Sequence, residues 1–116
     1  MGRVYKIMTA TEWRDFKQSG RYTGSPDDHR DGFIHLSDRE QVQETARKHF
    51  AGKTDLVLVA VAADRLGDNL RYEVSRGGAL FPHLYAALAI DAVVWNRPIE
   101  TDPAGFPILS FPDETS

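Results

Sequence analysis

Apolar positions along the chain recur with the periods of short strands and amphipathic helices. Residues 56–63 form an almost wholly apolar run rich in valine, which is typical of a strand that is buried on both faces and central in a sheet. Val42, Ala46 and Phe50 are spaced four residues apart, and this spacing predicts one face of a helix. Strands and helices that occur together in this way predict an α+β fold.

Other elements follow from local signals at their ends. Further strands are predicted at residues 4–8, 33–36, 70–74, 92–96 and 106–111, and helices at residues 10–19 and 38–50. Thr9 and Glu12 have the spacing of a capping box, and Gly20 is suited to end the first helix in the left-handed conformation. Ser37 and Glu40 repeat the capping-box spacing before the second helix.

Three polar or proline-containing segments are expected to be irregular. Residues 25–32 predict a polar loop that is long enough to overhang a site, and residues 102–105 predict a hairpin turn. Pro82 predicts a turn that projects His83 and Tyr85 from a loop, where binding groups often lie.

Length and composition narrow the class of protein. The 116 residues predict a single domain with a core over about residues 3–112 and a frayed tail after it. The hydrophobic fraction of 41% and the charged fraction of 27% are ordinary for a globular domain that folds without a cofactor. The absence of cysteine excludes disulfides and thiolate chemistry.

Charge and apolar run length indicate which partners to expect. The net charge is −3 and the basic residues are scattered, which argues against a protein that binds duplex nucleic acid through its phosphates. The longest apolar run is far below the roughly 18 residues of a membrane span, and the N-terminal residues do not resemble a signal peptide. We therefore expect a cytoplasmic protein without a membrane partner, and the sequence does not indicate a protein partner.

The first candidate for chemistry is the pair His35 and Ser37. The period of a strand places both side chains on one face, and Ser37 also lies at the start of a helix, whose N–H groups favour an anion. Together they could hold a phosphate or a ribose. The alternative is structural, with His35 hydrogen-bonded between strands and Ser37 acting as a helix cap.

The strand at residues 70–74 and the segment after it supply the remaining candidates. Arg71 and Glu73 share one face of that strand, where a carboxylate could bind ribose hydroxyls or stabilise an oxocarbenium ion. The alternative is a surface ion pair of small energetic value. His83 and Tyr85 are candidate binding groups, although core packing alone would also explain their segment.

A metal site is the less favoured interpretation of the histidines. His29, His35 and His83 could meet around a metal with Glu73 as a fourth ligand, because imidazole and carboxylate are suitable ligands for zinc. Their separations along the chain match no local metal motif, and we predict no metal.

Five segments follow one another along the chain: VYKI at 4–7, DGFIHLS at 31–37, LRYE at 70–73, LFPHLY at 80–85 and DAVV at 91–94. In this order they resemble the bacterial family described as domain of unknown function 952. The resemblance covers nearly the whole chain. It implies an ADP-ribosyltransferase-like fold, in which a split, bent, mixed β-sheet with two main helices forms a cleft for a nicotinamide nucleotide, with NAD as a candidate substrate.

A narrower similarity is to the RNA 2′-phosphotransferases of the same superfamily. Those enzymes carry a histidine, a hydrophobic residue and a serine before a helix, as His35-Leu36-Ser37 do here. Their first strand bears a histidine for the NAD ribose, and Lys6 occupies the corresponding position in this chain. Lysine can meet a phosphate as a point charge but lacks the donor and acceptor pair of neutral imidazole.

Three hypotheses follow from these residues and the resemblance. In the leading one, the protein is a nucleotide-handling enzyme in which His35 contacts ribose and Glu73 stabilises positive charge at the anomeric carbon. Ser37, with Lys6 or Arg71, would hold phosphate there, while His83 and Tyr85 would complete the ligand site. The second hypothesis is a non-catalytic module that binds a nucleotide, a small acid or a protein in the same cleft. The third assigns the polar residues to structure alone.

Overall fold

The computed structural model describes residues 2–112, which form an α+β fold of nine strands and three α-helices, with short 3-10 turns between some of them. The strands are β1 (Arg3–Thr9), β2 (Arg21–Tyr22), β3 (Ile34–His35), β4 (Leu56–Ala62), β5 (Leu70–Val74), β6 (Leu80–Leu84), β7 (Leu88–Ala89), β8 (Val93–Thr101) and β9 (Pro107–Ile108). The helices are α1 (Ala10–Ser19), α2 (Pro26–Asp31) and α3 (Arg39–Phe50). No helix within residues 2–112 is long and apolar enough to cross a membrane.

The strands pair into three antiparallel sheets. Their orders are β1-β4-β8-β9, β3-β6-β5 and β2-β7. The first two sheets meet where Tyr5 and Ser37 exchange backbone hydrogen bonds, with N to O distances of 2.8 and 3.0 Å. The arrangement is split as expected, but every pairing among the described strands is antiparallel and the expected mixed sheet is wrong. Successive strands of the large sheet enter it from opposite ends, so no parallel pairing arises.

The central strand is β4, as the apolar run predicted. It lies between β1 and β8, and its residues from Leu56 to Val61 are buried. Alternate side chains enter two different cores: Val57, Val59 and Val61 pack on the side of α1, whereas Leu56, Leu58 and Ala60 pack on the side of α3. A strand covered by a helix on each face needs apolar residues at every position.

The predicted ends of α1 are confirmed, whereas the predicted cap of α3 is wrong. Thr9 and Glu12 form the predicted capping box, and Gly20 ends α1 with φ +78°. The predicted cap at Ser37 is wrong, because its backbone is paired with β1. Asp38 takes the capping position instead, and its N–H donates to the Gln41 side chain at 3.0 Å.

Residues 25–32 do not form the predicted loop. Ser25 and Asp28 make a capping box, in which the Asp28 N–H donates to Ser25 Oγ and the Ser25 N–H donates to Asp28 Oδ2. Pro26 takes the first helical position, where its missing N–H has no consequence. Gly32 ends this short helix at φ +87°. The Ser-Pro-Asp-Asp sequence is therefore a helix start.

The segment around Pro82 is a strand, and the predicted turn is wrong. Pro82 lies in β6 opposite Tyr72, at a position whose backbone N points away from β5. The pairing with β5 therefore needs no donor there, while on the other side, just past the end of β3, the Pro82 carbonyl accepts from the Leu36 N–H at 3.0 Å. As a result His83 is buried rather than projected from a loop, and only 4% of its surface is exposed.

The C-terminal part of the fold agrees with the sequence in outline. Strand β8 runs five residues beyond its predicted end, and β9 is limited to Pro107–Ile108 at the edge of its sheet. The predicted turn at 102–105 is confirmed, since Asp102 Oδ1 accepts from the backbone N–H groups of Ala104 and Phe106 at 2.9 Å. The predicted fraying after residue 112 lies outside the described residues.

A substitution of Gly24 tests the close packing of this glycine against Asp28 of α2. Gly24 has φ +121°, and a Cβ added there would lie 2.7 Å from the Cβ of Asp28. We expect Gly24→Ala to lower the free energy of unfolding by about 3 kcal/mol, since backbone strain and a steric clash act together. Chemical denaturation measures the change.

Gly32→Ala is the matched control, because Gly32 also has positive φ but an added Cβ meets nothing within 4 Å. It should cost about 1 kcal/mol from backbone strain alone. Equal losses in the two variants would contradict the close packing at Gly24.

Candidate functional site

A cleft of about 570 Å³ opens between α2, α3 and the point where the two larger sheets meet. Its polar wall contains Lys6, Asp28, Asp31, His35, Ser37 and His83. His49 and Lys53 line it near the C-terminal end of α3. Four of the residues that the sequence analysis singled out, Lys6, His35, Ser37 and His83, thus line one cleft.

The carboxylate of Asp28 is the centre of this wall. Its side chain is 2% exposed, and it accepts from Lys6 Nζ at 2.9 Å and from His35 Nδ1 at 2.6 Å. The backbone N–H groups of Ser25 and His35 donate to it at 2.9 and 3.1 Å. One carboxylate thus connects α2 to β1 and β3.

Burial and charge act in opposite directions on Asp28. Burial by itself raises the pKa of the carboxyl, but the hydrogen bond from His35 and the positive charge of Lys6 outweigh it. The Ser25 N–H adds to the lowering. The net result is a pKa well below the ordinary range, so Asp28 stays ionised at neutral pH.

Lys6 is engaged with the protein itself. Besides Asp28, its Nζ donates to the backbone carbonyl of His35 at 3.0 Å, and the side chain is 10% exposed. An ammonium group has three donors, and these contacts account for its orientation. Lys6 therefore fixes β1 to α2 and β3, although the sequence suggested a phosphate ligand.

His35 lies between two carboxylates at the surface of the cleft. Nδ1 contacts Asp28 Oδ1, and Nε2 lies 3.0 Å from Asp31 Oδ2. Arg30 Nε also lies 3.0 Å from Asp31, and its hydrogen bond lowers the pKa of the Asp31 carboxyl. The His35 side chain remains 36% exposed, so a ligand can reach it. The buried Asp28 therefore contacts the ring on its inner side, and the partly exposed Asp31 contacts it on its outer side.

A second set of side chains supports His83. The ring of Phe33 stacks on His83 with centroids 4.0 Å apart, and His83 Nδ1 lies 2.8 Å from Glu73 Oε1. Tyr85 donates its hydroxyl to the same oxygen at 2.6 Å, and the Arg71 guanidinium lies 5.2 Å from the centre of the Tyr85 ring. The bonds from Tyr85 and His83 lower the pKa of the Glu73 carboxyl, and Glu73 raises the pKa of Tyr85.

The predicted residues therefore fall into two groups. Lys6, His35, Ser37 and His83 line the cleft, whereas Glu73, Arg71 and Tyr85 are not among the described residues that do so. Glu73 contacts His83, which lines the cleft. Ser37 Oγ lies 3.3 Å from Thr45 Oγ1. Arg71 and Glu73 share a strand face as predicted.

Sequence reasoning missed four contributors to the site: Asp28, Asp31, Phe33 and His49. A signal existed for Asp28, because Ser25 and Asp28 have capping-box spacing. Asp31, Phe33 and His49 had no such signal. Within residues 2–112, no group of three or more His, Cys, Asp or Glu side chains is arranged to hold a metal ion.

The low pKa of Asp28 predicts a loss of stability in acid. The unfolded carboxyl binds its proton near the ordinary value of 3.8, whereas the folded carboxyl does so at lower pH. Between those values the unfolded state holds more protons, so the free energy of unfolding falls as pH drops below about 5. Asp28→Asn should flatten this fall and, at pH 7, lower stability by about 3 kcal/mol by leaving Lys6 buried without its partner.

Denaturant titrations at a series of pH values measure both effects. Asp27→Asn serves as the control because Asp27 is the exposed neighbour on the same helix. An acid dependence in Asp28→Asn as steep as that of the wild type would contradict the assignment.

Comparison with known proteins places the chain in a family. Its structure is similar to the crystal structure of protein CC0527 from Caulobacter crescentus, with 49% identity, a TM-score of 0.89, and coverage of 91% of this chain and 93% of that one. The solution NMR structure of CC0527 gives 50% identity, a TM-score of 0.83 and 92% coverage of both chains. A search of the curated proteins found no match. The family model "Protein of unknown function (DUF952)" matches residues 7–96, and the chain belongs to that family.

Proposed function

We propose that the cleft binds a nucleotide-like ligand in an ADP-ribosyltransferase-like domain that binds or cleaves NAD or a related nucleotide. The observation that carries the proposal is a pair of oriented histidines on one cleft wall. The rings of His35 and His83 have centroids 5.7 Å apart, and each ring contacts a carboxylate of the protein. The sequence resemblance supplies the expectation of a nicotinamide nucleotide.

His83 is suited to recognise or deprotonate a hydroxyl group. Glu73 contacts Nδ1, and a carboxylate at that nitrogen fixes the ring orientation and holds the proton there when the ring is neutral. Nε2 is then the acceptor, and the stacked Phe33 ring restricts rotation. In this assignment Glu73 acts through His83. The sequence had suggested instead that Glu73 contacts the ligand directly.

His35 would contact the ribose by exchange with Asp31. The two ring nitrogens face different carboxylates: Nδ1 contacts Asp28 on the buried side, and Nε2 contacts Asp31 on the cleft side. Asp31 is exposed and is also bound by Arg30, whereas Asp28 is buried. A ribose hydroxyl can therefore replace Asp31 at Nε2 without disturbing the buried side of the site.

The phosphate of the ligand needs a cation other than Lys6 or Arg71. Lys6 is held by Asp28, and Arg71 lies against Tyr85. The N-terminus of α3 is capped by the carboxylate-bearing Asp38, which opposes an anion there. We assign the phosphate to Lys53, which lines the cleft near the end of α3.

One observation favours a second candidate, a binding module without catalysis. The most buried carboxylate of the cleft, Asp28, already accepts from Lys6, Ser25 and His35. A carboxylate so fully bonded is a structural group and a poor stabiliser of a developing cation in the ligand. In that case the cleft would hold a nucleotide without cleaving it.

Binding is tested by amide NMR titration with NAD, ADP-ribose and a 2′-phosphorylated RNA fragment. We expect saturable shifts around His35, Ser37 and His83 with at least one ligand. His35→Ala should weaken binding by about tenfold or more, because it removes a hydrogen bond to the ligand. Lys53→Ala should weaken it by about tenfold through loss of a charged phosphate contact.

His29→Ala is the matched control, since His29 is an exposed histidine in α2 and does not line the cleft. Release of nicotinamide from NAD, followed by chromatography, separates the two candidates. Binding with release supports the transferase-like enzyme, and binding without release supports the module. Absence of saturable shifts with all three ligands would contradict the proposal.

A further inference from the structure

Strand β5 forms the outer edge of the three-stranded sheet in the described part of the chain. Two bonds that flank its pairing with β6 fix which backbone groups face outward: Tyr85 N–H to the Asn69 carbonyl at 2.8 Å and Ser75 N–H to the Ala79 carbonyl at 2.9 Å. Hydrogen-bonded pairs alternate along an antiparallel ladder. Arg71 and Glu73 therefore bond to β6, whereas the backbone groups of the residues between and beside them point away from it.

The residues whose backbone N–H and carbonyl groups face outward are Leu70, Tyr72 and Val74. Tyr72 is 47% exposed and Val74 is 69% exposed, and Leu80, which pairs with Val74, is 52% exposed. An edge strand with unpaired backbone groups and exposed apolar side chains is a template for pairing with another strand. No proline lies within β5 to block such pairing.

We propose that this edge pairs with β5 of a second copy of the chain, antiparallel and centred on Tyr72. In that register Tyr72 meets Tyr72 of the second copy, and Leu70 meets Val74. The three outward-facing residues then bond to one another, because residues whose backbones face the partner are those that exchange hydrogen bonds.

The charges select a second copy rather than another strand. The same register places Arg71 of one copy directly opposite Glu73 of the other, twice by symmetry. Opposite charges at facing positions stabilise antiparallel pairs, and like charges destabilise them. The five residues Leu-Arg-Tyr-Glu-Val are thus complementary to themselves when reversed. The two three-stranded sheets become one sheet of six strands (3 + 3).

The pairing also reaches the candidate site. Glu73 contacts His83, which lines the cleft, and its side chain is 39% exposed in the single chain. In the dimer, Arg71 of the second copy lies beside Glu73. Each copy thereby places its Arg71 beside the Glu73 carboxylate that supports His83 in the cleft of the other copy.

Sedimentation velocity over a wide concentration range tests the dimer. The wild type should shift from monomer to dimer as concentration rises. Tyr72→Pro should remain monomeric, because it removes the outward N–H while the bonds of β5 to β6 do not use that group. Tyr72→Val is the matched control: it loses the same hydroxyl but keeps the N–H, and it should dimerise.

Charge reversal tests the register. Arg71→Glu should raise the dimer dissociation constant by about tenfold, since it places two like-charged pairs across the interface. The double variant Arg71→Glu/Glu73→Arg should restore dimerisation. A wild type that stays monomeric at the highest concentration, a Tyr72→Pro dimer as tight as wild type, or a double variant as weak as Arg71→Glu would overturn the proposal.

Discussion

The carboxylate of Asp28 is almost fully shielded from water and accepts hydrogen bonds from Ser25, from Lys6 and from His35. A buried charge is tolerated only when such partners replace its hydration. The requirement fixes the position of α2 over the point where the two larger sheets meet. The cleft, its histidine wall and the exposure of His35 all depend on that position.

The same constraint separates supporting groups from groups available to a ligand. Lys6 and Asp28 neutralise each other inside the wall, so the cation that we assign to an anionic ligand is Lys53, which lines the cleft near the end of α3. His83 receives equivalent support from Glu73, itself bonded by Tyr85. Both histidines are thus held from the protein side and face one cavity.

The sequence was sufficient where a signal is local. The capping box of Thr9 and Glu12 and the uninterrupted apolar run of β4 each gave the correct element, because propensity and burial agree there. Irregular elements were harder to predict. The Ser25–Asp28 capping box consists of residues that are also typical of turns, and Pro82 suggests a turn although its pairing with β5 requires no backbone donor at that position. Strand periodicity predicted one part of the site, because it placed His35 and Ser37 on the same strand face. The pairing of Lys6 with Asp28 could not be predicted, since it joins residues far apart in the chain.

The most direct test of this account is a double-mutant cycle between Lys6 and Asp28, using Lys6→Met, Asp28→Asn and the combined variant. The free energy of unfolding of each is measured at neutral pH. A buried, mutually dependent pair predicts a coupling energy of about 2 kcal/mol or more, with the combined variant more stable than the sum of the single losses implies. A coupling energy below about 0.5 kcal/mol, as for an exposed surface pair, would contradict the central role of Asp28.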